Sequence, residues 1–589
     1  MPVGQSIEET ESRSALNLVG RARALARRFL IVTLGTTGAF CGVLAVAFER
    51  YVESAHDVLI GFAMAQSGLV RVALMLGTPA IVFAVIAVIL RRFAPRAVGA
   101  NLARVRMSYN EDPSLLGPKT VGATFLGTPL SLGAGAPLGP EGPIVVVTSG
   151  FSSAIGRMLR LPQKFVRGMI PVGTAAGIAA IFNAPITGVV FALEEIVGAA
   201  DRGLLGGVLV GAVAAAVVER MLLGGRPLLA APFSTWSDPR ELIGFALLGA
   251  ISGVVSGAAI GLAHRVKRAW AARMPSMVLR AALAGLIIGA FALLSPSVLG
   301  VGYDSISFWL HGGGTAESTA IAFAVKTVVF VIAISGGILG GSFAPSLFIG
   351  TALGASVGHI AHALFPAGHI DPKAYAVLGM GSFFAGLLRS PIAAILIVIE
   401  LTRDYELVLP LMLGVSLAVA ISRRISHFSI VEQQMIDEGY VEGRDSTDPL
   451  SRVRTRDAMT WNPLTVRETI TLTEAAHLVA EHIYRFYPVV DEDGRLTGVL
   501  PRETLEKEVA AGGMKLVRDV VEQPKLVARA DEDVIEVVRR MQMNGVDRCP
   551  VVDDGSAQKV VGFLSPSDIL RARISHSVPR EEGGFELFE

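Results

Sequence analysis

Two short stretches of this 589-residue chain stand out, GPEGP at 139–143 and GSFAP at 341–345. In each stretch a glycine lies four residues before a proline, and an apolar run follows the proline. Proline is favoured in the first turn of a helix, because the N–H that it lacks would have no partner there. The two stretches therefore predict two loops that each open a helix within an apolar part of the chain.

The two stretches belong to an internal repeat. The first half continues with FNAPI at 182–186 and then Glu194, and the second half continues with LRSPI at 388–392 and then Glu400. In both halves the glutamate lies nine residues after the proline of the Pro-Ile pair. Repeats with glycine and proline interruptions at matching positions are typical of transporters, whose binding site lies at the repeat interface. We therefore expect an all-α polytopic membrane protein with inverted repeats and broken helices.

Charged residues divide the chain into an apolar body and a polar tail. From Val441 onward 47 of 149 residues are charged, against 56 of the 440 residues before it. Together with a mean hydropathy of +0.55, this contrast excludes a purely soluble enzyme, a fibrous protein and a disordered chain. The net charge of +1 gives no reason to expect nucleic acid as a partner. The only two cysteines, Cys41 and Cys549, lie in different parts of the chain, which excludes a disulfide framework and a cysteine-based zinc site, and no metal site is expected.

Basic residues indicate the orientation of the apolar body. Clusters around Arg21, Arg91, Lys267 and Arg424 flank its apolar segments, and such clusters favour the cytoplasmic side. We therefore expect both termini in the cytoplasm, and the composition rich in Ala, Arg and Gly suggests a bacterial inner membrane. The expected domains are a cytoplasmic N-terminal segment, a transmembrane domain, a linker, two similar α/β units and a C-terminal tail, at 1–20, 21–439, 440–454, 455–512, 513–576 and 577–589.

The helix start at 139–143 contains a carboxylate, Glu141. A helix start leaves backbone N–H groups unpaired and carries a partial positive charge, so two such starts facing one another form an anion site. Glu141 would compete with the anion when charged and swing away when protonated. The alternative is a glutamate that only favours the helix dipole, but an ionisable residue inside a membrane is functional by default.

Three further glutamates follow the Pro-Ile pairs, namely Glu194, Glu195 and Glu400. Glu194 and Glu195 end an apolar run, which fits either a charge at the membrane interface or an entry point for protons on the cytoplasmic side. Glu400 has the same two interpretations, with the interface charge favoured.

These residues resemble the ClC chloride channels and chloride/proton antiporters, and the resemblance extends over 21–439. GPEGP is similar to the family's G-[KR]-E-G-P motif, and GSFAP to its G-x-F-x-P motif. NAP at 183–185, followed by Glu194 and Glu195, also matches the family. The resemblance implies a homodimer in a lipid bilayer, in which each subunit has its own pathway for chloride and, in the antiporters, for protons.

The resemblance also implies roles for individual residues. Glu141 is expected to be the gating glutamate. Glu195 corresponds to the internal proton glutamate of many antiporters, where the channels usually carry valine. The backbone amides of Ser342 and Phe343 are expected at the central anion. The full set of expected anion-binding residues is Gly139, Pro140, Gly142, Ser342, Phe343, Ala344, Ala100, Val431 and Phe428.

Three positions depart from the family's pattern. Where the family has G-S-G-I-P this chain has GANLA at 99–103, so Ala100 replaces the serine whose hydroxyl helps to hold chloride. The family's central tyrosine aligns with Val431, or alternatively with Phe428, and Pro140 replaces a lysine or arginine. Each lost hydrogen bond is worth about 0.5–1.5 kcal/mol. We therefore expect a weaker and less selective anion site.

The tail holds two similar units, with YPVVD at 487–491 and CPVVD at 549–553. They resemble a tandem pair of CBS domains. We therefore expect the tail to be a cytoplasmic α/β module. In that family a [ST]-x-x-D segment contacts a nucleotide ribose, and Ser565 and Asp568 match it, whereas PRET at 501–504 does not. Two interpretations stay open, an adenine nucleotide at the second unit and a purely structural dimerisation module.

Two functions fit this scaffold, a chloride/proton antiporter with loose coupling and a passive, gated chloride channel. Glu195 favours the antiporter, because a proton crossing an apolar core needs carboxyl groups as relays. The missing hydroxyls favour the channel, because the inner gate that they form in the family is absent. Asn101-Leu102 is similar to the fluoride-exporting branch, but GPEGP and GSFAP favour chloride.

A membrane enzyme is not expected, since HExxH and P-loop motifs are absent, so we predict no catalytic residues and no required cofactor. We predict an antiporter.

Overall fold

The computed structural model describes residues 4–97, 101–198, 202–225, 228–229, 239–366, 370–438, 450, 453–482, 484–512, 514–553, 555 and 558–577. The chain forms two compact units, Met1–Val441 and Glu442–Gly584. The first unit corresponds to the apolar body, and the second to the charged tail.

The first unit is built from helices of very different lengths. In chain order they are α1 (Gly4–His56), α2 (Phe62–Ala65), α3 (Gly68–Phe93), α4 (Leu102–Asn110), α5 (Pro118–Gly133), α6 (Glu141–Met158), α7 (Gln163–Phe182), α8 (Pro185–Phe191), α9 (Arg202–Leu223), α10 (Glu241–Arg273), α11 (Met277–Leu294), α12 (Tyr303–Leu310), α13 (Ala316–Gly336), α14 (Phe343–Leu364), α15 (Pro372–Leu388), α16 (Pro391–Thr402), α17 (Val408–Ile425) and α18 (Ile430–Asp437).

Nine stretches in the described part of the chain are long and apolar enough to cross a membrane. They do not include α6, which follows the first glycine-led stretch. This helix carries Glu141 and Arg157 as well as several Gly, Ser and Thr residues, although most of its residues are buried. The short α8 and α16 are likewise too short to span a bilayer of ~30 Å at 1.5 Å per residue. This mixture of spanning and broken helices confirms the predicted polytopic fold.

The repeat in the sequence is also a repeat of helix breaks. Asn183 ends α7 with a φ of 50°, and Arg389 ends α15 with a φ of 67°. Two residues later Pro185 opens α8 and Pro391 opens α16. A left-handed residue stops a helix and proline favours the first turn of a new one, so the same local chemistry breaks the chain at matching places in both halves.

Glycine lets the helices of the membrane unit approach closely. A Cβ at Gly350 of α14 would lie 2.4 Å from the carbonyl oxygen of Gly379 in α15, and a Cβ at Gly379 would lie 2.3 Å from the carbonyl oxygen of Gly350. In a bilayer the hydrophobic effect does not drive helices together, because lipid tails are as apolar as the side chains. Small residues stabilise helix packing there by allowing close van der Waals contact. This contact packs α14 against α15.

The second unit is an α/β structure with two sheets. Its elements are α19 (Thr455–Ala458), β1 (Thr460–Trp461), β2 (Val466–Arg467), α20 (Leu472–Val479), β3 (Phe486–Val490), β4 (Leu496–Pro501), α21 (Arg502–Ala510), β5 (Ala528–Arg529), α22 (Val534–Met543), β6 (Cys549–Val552), β7 (Val560–Leu564) and α23 (Pro566–Ser577).

The two sheets repeat one pattern. The strand orders are β2-β3-β4 and β1-β7-β6-β5. β2 is parallel to β3, and β5 is parallel to β6, while β4 and β7 are antiparallel to their partners. β1 comes from the first repeat but pairs with β7 of the second, with Thr460 opposite Phe563. The exchanged strand joins the two repeats into one unit.

Candidate functional site

The two glycine-led stretches meet face to face. Gly139 N–H donates to Gly341 O at 2.9 Å, and Gly341 N–H donates to Gly139 O at 2.7 Å. Two residues after these glycines, α6 begins at Glu141 and α14 begins at Phe343. Each helix start carries unpaired N–H groups and a charge of roughly +0.5. The backbone bridge therefore brings two partly positive helix ends together.

Glu141 lies fully buried where these helix starts meet. Its Oε1 accepts a hydrogen bond from Tyr303 Oη at 2.6 Å, and its Oε2 accepts a long one from Ala344 N at 3.4 Å. Ala344 is the second residue of α14, so the carboxylate occupies the place that this helix start offers to an anion. A Cβ at position 139 would lie 2.0 Å from Glu141 Oε2, so Gly139 leaves room for the carboxylate.

Tyr303, the first residue of α12, was not among the site residues expected from the sequence. The sequence offers two glycines just before it, Gly300 and Gly302, as a signal for a tight loop, and both have positive φ in the structure. The buried Lys326 of α13 holds this loop, because its Nζ donates to Val298 O at 2.9 Å and to Gly300 O at 2.7 Å. The position of the tyrosine hydroxyl therefore depends on a lysine of a neighbouring helix.

Three aromatic rings surround Phe343 at the start of α14. The ring of Phe182 is stacked on it at 4.9 Å, and those of Phe191 and Phe384 meet it edge to face at 5.8 and 4.4 Å. All four rings are buried. Such packing restrains the first turn of α14, so the direction of its free N–H groups is set by side chains from α7, α8 and α15.

A small cavity of about 10 Å³ lies next to the α6 and α14 starts. That volume has room for roughly one water-sized sphere. Six of the residues that line it are Asn101, Gly142, Gly341, Ser342, Val431 and Gln434. Val431 is among them and is 1% exposed, whereas the alternative Phe428 is not and is partly exposed. Ala100 lies outside the described residues.

Glu195 lies in a π-helical turn, Ala192–Val197, that continues α8. It is buried, its Oε2 accepts a hydrogen bond from Ser390 Oγ at 2.5 Å, and Arg106 Nη1 lies 3.9 Å from its Oε1. Ser390 immediately precedes α16 and Arg106 belongs to α4. Both partners were missed from the sequence, since neither is near Glu195 in the chain.

Glu194 and Glu400 each cap a helix of the other half. Glu400 Oε1 accepts from Ile186 N at 3.1 Å, and its Oε2 accepts from Thr187 N at 2.6 Å and Thr187 Oγ1 at 2.5 Å. Glu194 Oε1 and Oε2 accept from the N–H groups of the two residues after Pro391, at 3.3 and 2.8 Å. The spacing of nine residues between proline and glutamate in each half thus places each glutamate at the helix start of the other half. Neither the interface charge nor the proton entry point expected from the sequence included this contact.

In the tail, Asp568 is engaged within its own unit. It is 2% exposed, its Oδ1 accepts from Thr460 Oγ1 at 2.8 Å, and its Oδ2 accepts from Ser565 N at 3.0 Å and Ser565 Oγ at 2.6 Å. The carboxylate therefore ties β1 to the start of α23. A nucleotide ribose would have to compete with these donors.

Cysteine and metal chemistry have little support in the described part of the chain. Cys41 and Cys549 are buried free thiols, and burial raises the pKa of the Cys549 thiol to about 12. That thiol is therefore protonated and unreactive at neutral pH. Among the described residues no three His, Cys, Asp or Glu side chains form a group that could hold a metal ion.

Comparison with known families assigns both units. A family model described as voltage gated chloride channel matches residues 81–423, more than half of the chain. A model of the CBS domain matches twice in the tail, at residues 455–511 and 517–575.

Individual proteins give the same result. A ClcB-like chloride channel protein of Ralstonia nicotianae is 36% identical over 288 residues, which are 48% of this chain and 67% of the relative. The H(+)/Cl(-) exchange transporter ClcA of Salmonella typhimurium is 29% identical over 404 residues, 66% of this chain and 84% of the relative.

Two solved structures share the fold. A slow cyanobacterial Cl-/H+ antiporter has a TM-score of 0.65 at 24% identity and covers 69% of this chain and 97% of its own. A eukaryotic CLC transporter has a TM-score of 0.64 at 19% identity and covers 92% of this chain and 98% of its own.

Proposed function

Because the chain belongs to the voltage gated chloride channel family, we propose that it moves chloride across a membrane in exchange for protons. The observation that carries the proposal is the buried carboxylate of Glu141 at the start of α14, where a helix offers its free N–H groups. The name of the Salmonella relative, an H(+)/Cl(-) exchange transporter, supports the same function.

The anion step follows from competition at this helix start. When Glu141 is charged, its Oε2 takes the N–H of Ala344 and excludes an anion. When Glu141 is protonated, it loses its attraction to the helix end and can leave the place to chloride. Backbone N–H groups hold the anion without a full positive charge, and weak binding permits fast release.

The proton step needs a second carboxyl on the inner side. A charge inside the bilayer is costly, so a proton crosses best between carboxyl groups that can bind it in turn. We assign Glu141 to the outer side and Glu195 to the inner side. Ser390 Oγ, at 2.5 Å from Glu195 Oε2, orients that carboxyl.

The passive channel remains the second candidate, and one observation favours it. Val431 lines the cavity at the position where the resemblance places a tyrosine hydroxyl. Without that hydroxyl the inner mouth holds chloride less firmly, and chloride can pass without a proton. We therefore propose exchange with loose coupling.

Flux measurements on purified protein in liposomes test the proposal. A chloride gradient is expected to drive protons uphill, with fewer protons per chloride than in a tightly coupled relative. Glu195→Gln is expected to stop proton movement and to leave chloride movement intact. Glu317→Gln, a matched change at an exposed glutamate, is the control and should alter neither flux. Chloride movement by the wild-type protein without any proton movement would establish the channel instead.

The setting of this activity is also a proposal. We infer a homodimer with one pathway in each subunit, both termini in the cytoplasm and a bacterial inner membrane as the location. We keep the domain limits 1–20, 21–439, 440–454, 455–512, 513–576 and 577–589 as proposed boundaries. For the CBS pair we propose at most one adenine nucleotide site, at Ser565 and Asp568.

A further inference from the structure

Two side-chain amides, Asn101 and Gln434, line the small cavity beside the α14 start. Asn101 precedes α4 and Gln434 belongs to α18, so the two amides come from distant parts of the chain. Asn101 Nδ2 donates to Gln434 Oε1 at 2.7 Å. Val431, one turn before Gln434, brings only an apolar side chain to the same cavity.

The backbone of α4 determines which way both amides point. Asn101 caps this helix, and its Oδ1 accepts a hydrogen bond from Ala103 N at 3.0 Å. A backbone N–H can only donate, so the oxygen of Asn101 must face it and the Nδ2 group must be the other end. Nδ2 can only donate as well, so Gln434 must present its oxygen to Asn101. The two N–H bonds of Gln434 Nε2 therefore lie at the end of the amide that is turned away from Asn101.

A second contact holds the two helices in this register. Arg104 Nη2, one turn along α4 from Asn101, lies 2.6 Å from Oε2 of Glu438, which follows α18. Both side chains of this ion pair are largely buried. Since two contacts one turn apart join the elements, the amide of Gln434 is held rather than free to rotate.

We propose that Gln434 supplies the side-chain donor of the central anion site and thereby determines its preference for chloride. This inference rests on the proposed function, since it concerns the same transported anion. Gln434 Nε2 takes the part that hydroxyl groups take in the ClC resemblance, where this chain has Ala100 and Val431. A neutral amide replaces a hydrogen bond that the anion loses when it leaves water. It binds the anion less tightly than a lysine or arginine would, so the anion can still be released.

The competing donor is the hydroxyl of Ser342, which also lines the cavity. Its hydrogen can rotate, whereas the amide of Gln434 is oriented by Asn101 and Ala103. The two candidates are therefore separated by mutating each one.

Chloride binding by calorimetry on the full-length protein, with flux in liposomes, tests the proposal. Gln434→Met keeps the length of the side chain and removes its donors, and we expect chloride affinity to fall about three- to tenfold, as for one lost hydrogen bond. The preference for chloride over thiocyanate should fall too, because thiocyanate is less strongly hydrated. Gln433→Met is the matched control, since Gln433 Nε2 lies 3.2 Å from Asp437 Oδ1 and does not line the cavity. It should behave as wild type.

Asn101→Asp tests the orientation of the amide. Aspartate still accepts from Ala103 N but cannot donate to Gln434, so the glutamine amide should turn round and place its oxygen where its Nε2 group lay. The added negative charge also weakens anion binding, and a double-mutant cycle with Gln434→Met separates the two effects. We expect Asn101→Asp to cost more affinity when Gln434 is present than when it is methionine.

If wild type moves chloride while Gln434→Met retains its affinity and preference, or if Ser342→Ala causes the loss instead, Gln434 is not the donor. Strict additivity in the cycle would contradict the orientation set by Asn101. If wild type neither binds nor moves chloride, the proposed function fails, and this inference fails with it.

Discussion

One carboxylate, that of Glu141, controls access to the α14 start in the proposed mechanism. Glu141→Ala removes the group that competes with the anion, so anion flux should continue while its pH dependence and all proton movement disappear. Chloride efflux from liposomes, recorded over a range of pH with simultaneous proton uptake, measures both effects. A variant that keeps the wild-type pH dependence would remove Glu141 from the gate.

The hydroxyl of Tyr303 holds that carboxylate in place. It donates to Glu141 Oε1 at 2.6 Å, and a hydrogen bond to a charged group is worth about 1.5–3 kcal/mol. Tyr303→Phe loses this bond and makes the charged, blocking position of Glu141 less favourable. Anion flux should then be activated at higher pH, by about one to two pH units.

Flux against pH for Tyr303→Phe, beside Tyr405→Phe, measures this shift. Tyr405 is 68% exposed and serves as the matched control. An unshifted profile in Tyr303→Phe would mean that its hydroxyl does not hold the gate.

The starts of α8 and α16 form a reciprocal pair of capped helices. Each start receives a carboxylate from the other half, Glu400 for α8 and Glu194 for α16. Removing a cap typically costs about 0.5–2 kcal/mol. Glu194→Ala and Glu400→Ala should therefore each lower the midpoint of thermal unfolding.

Glu53→Ala is the control for these two variants, because Glu53 forms an exposed ion pair with Arg50 and such pairs contribute little. Thermal unfolding in detergent, followed by intrinsic fluorescence, gives the comparison. If Glu400→Ala unfolds at the same temperature as Glu53→Ala, the cap does not stabilise the membrane unit.

The whole molecule combines a membrane unit with a CBS pair whose repeats are unequal. Only the second repeat has the Ser565–Asp568 pair, and Asp568 is already bound by Thr460 and Ser565. Full-length protein should therefore bind adenine nucleotide weakly, at one site per chain or not at all. Calorimetry with ATP measures the number of sites, with Asp568→Asn as the test variant and the exposed Asp493→Asn as its control. Two tight sites per chain would contradict the asymmetry.

The helix starts, the repeat and the division into two units follow from local chemistry. Proline constrains φ wherever it occurs, so GPEGP and GSFAP predict loops that open helices without knowledge of the fold. Glu141 could also be predicted as a functional residue from the sequence, because a carboxylate within an apolar membrane segment is costly. Contrasting charge densities likewise separate the membrane unit from the tail.

The partners of these residues could not be predicted from the sequence. Tyr303 lies 162 positions from Glu141, Gln434 lies 333 positions from Asn101, and Glu400 lies 214 positions from Ile186. A hydrogen bond requires its two atoms to come within about 3 Å, and a turn of a helix or a shift in its register is enough to break it. The packing of distant helices alone sets those distances. The contacts of Tyr303 with Glu141, of Asn101 with Gln434 and of Glu400 with the start of α8 therefore became visible only in the folded protein.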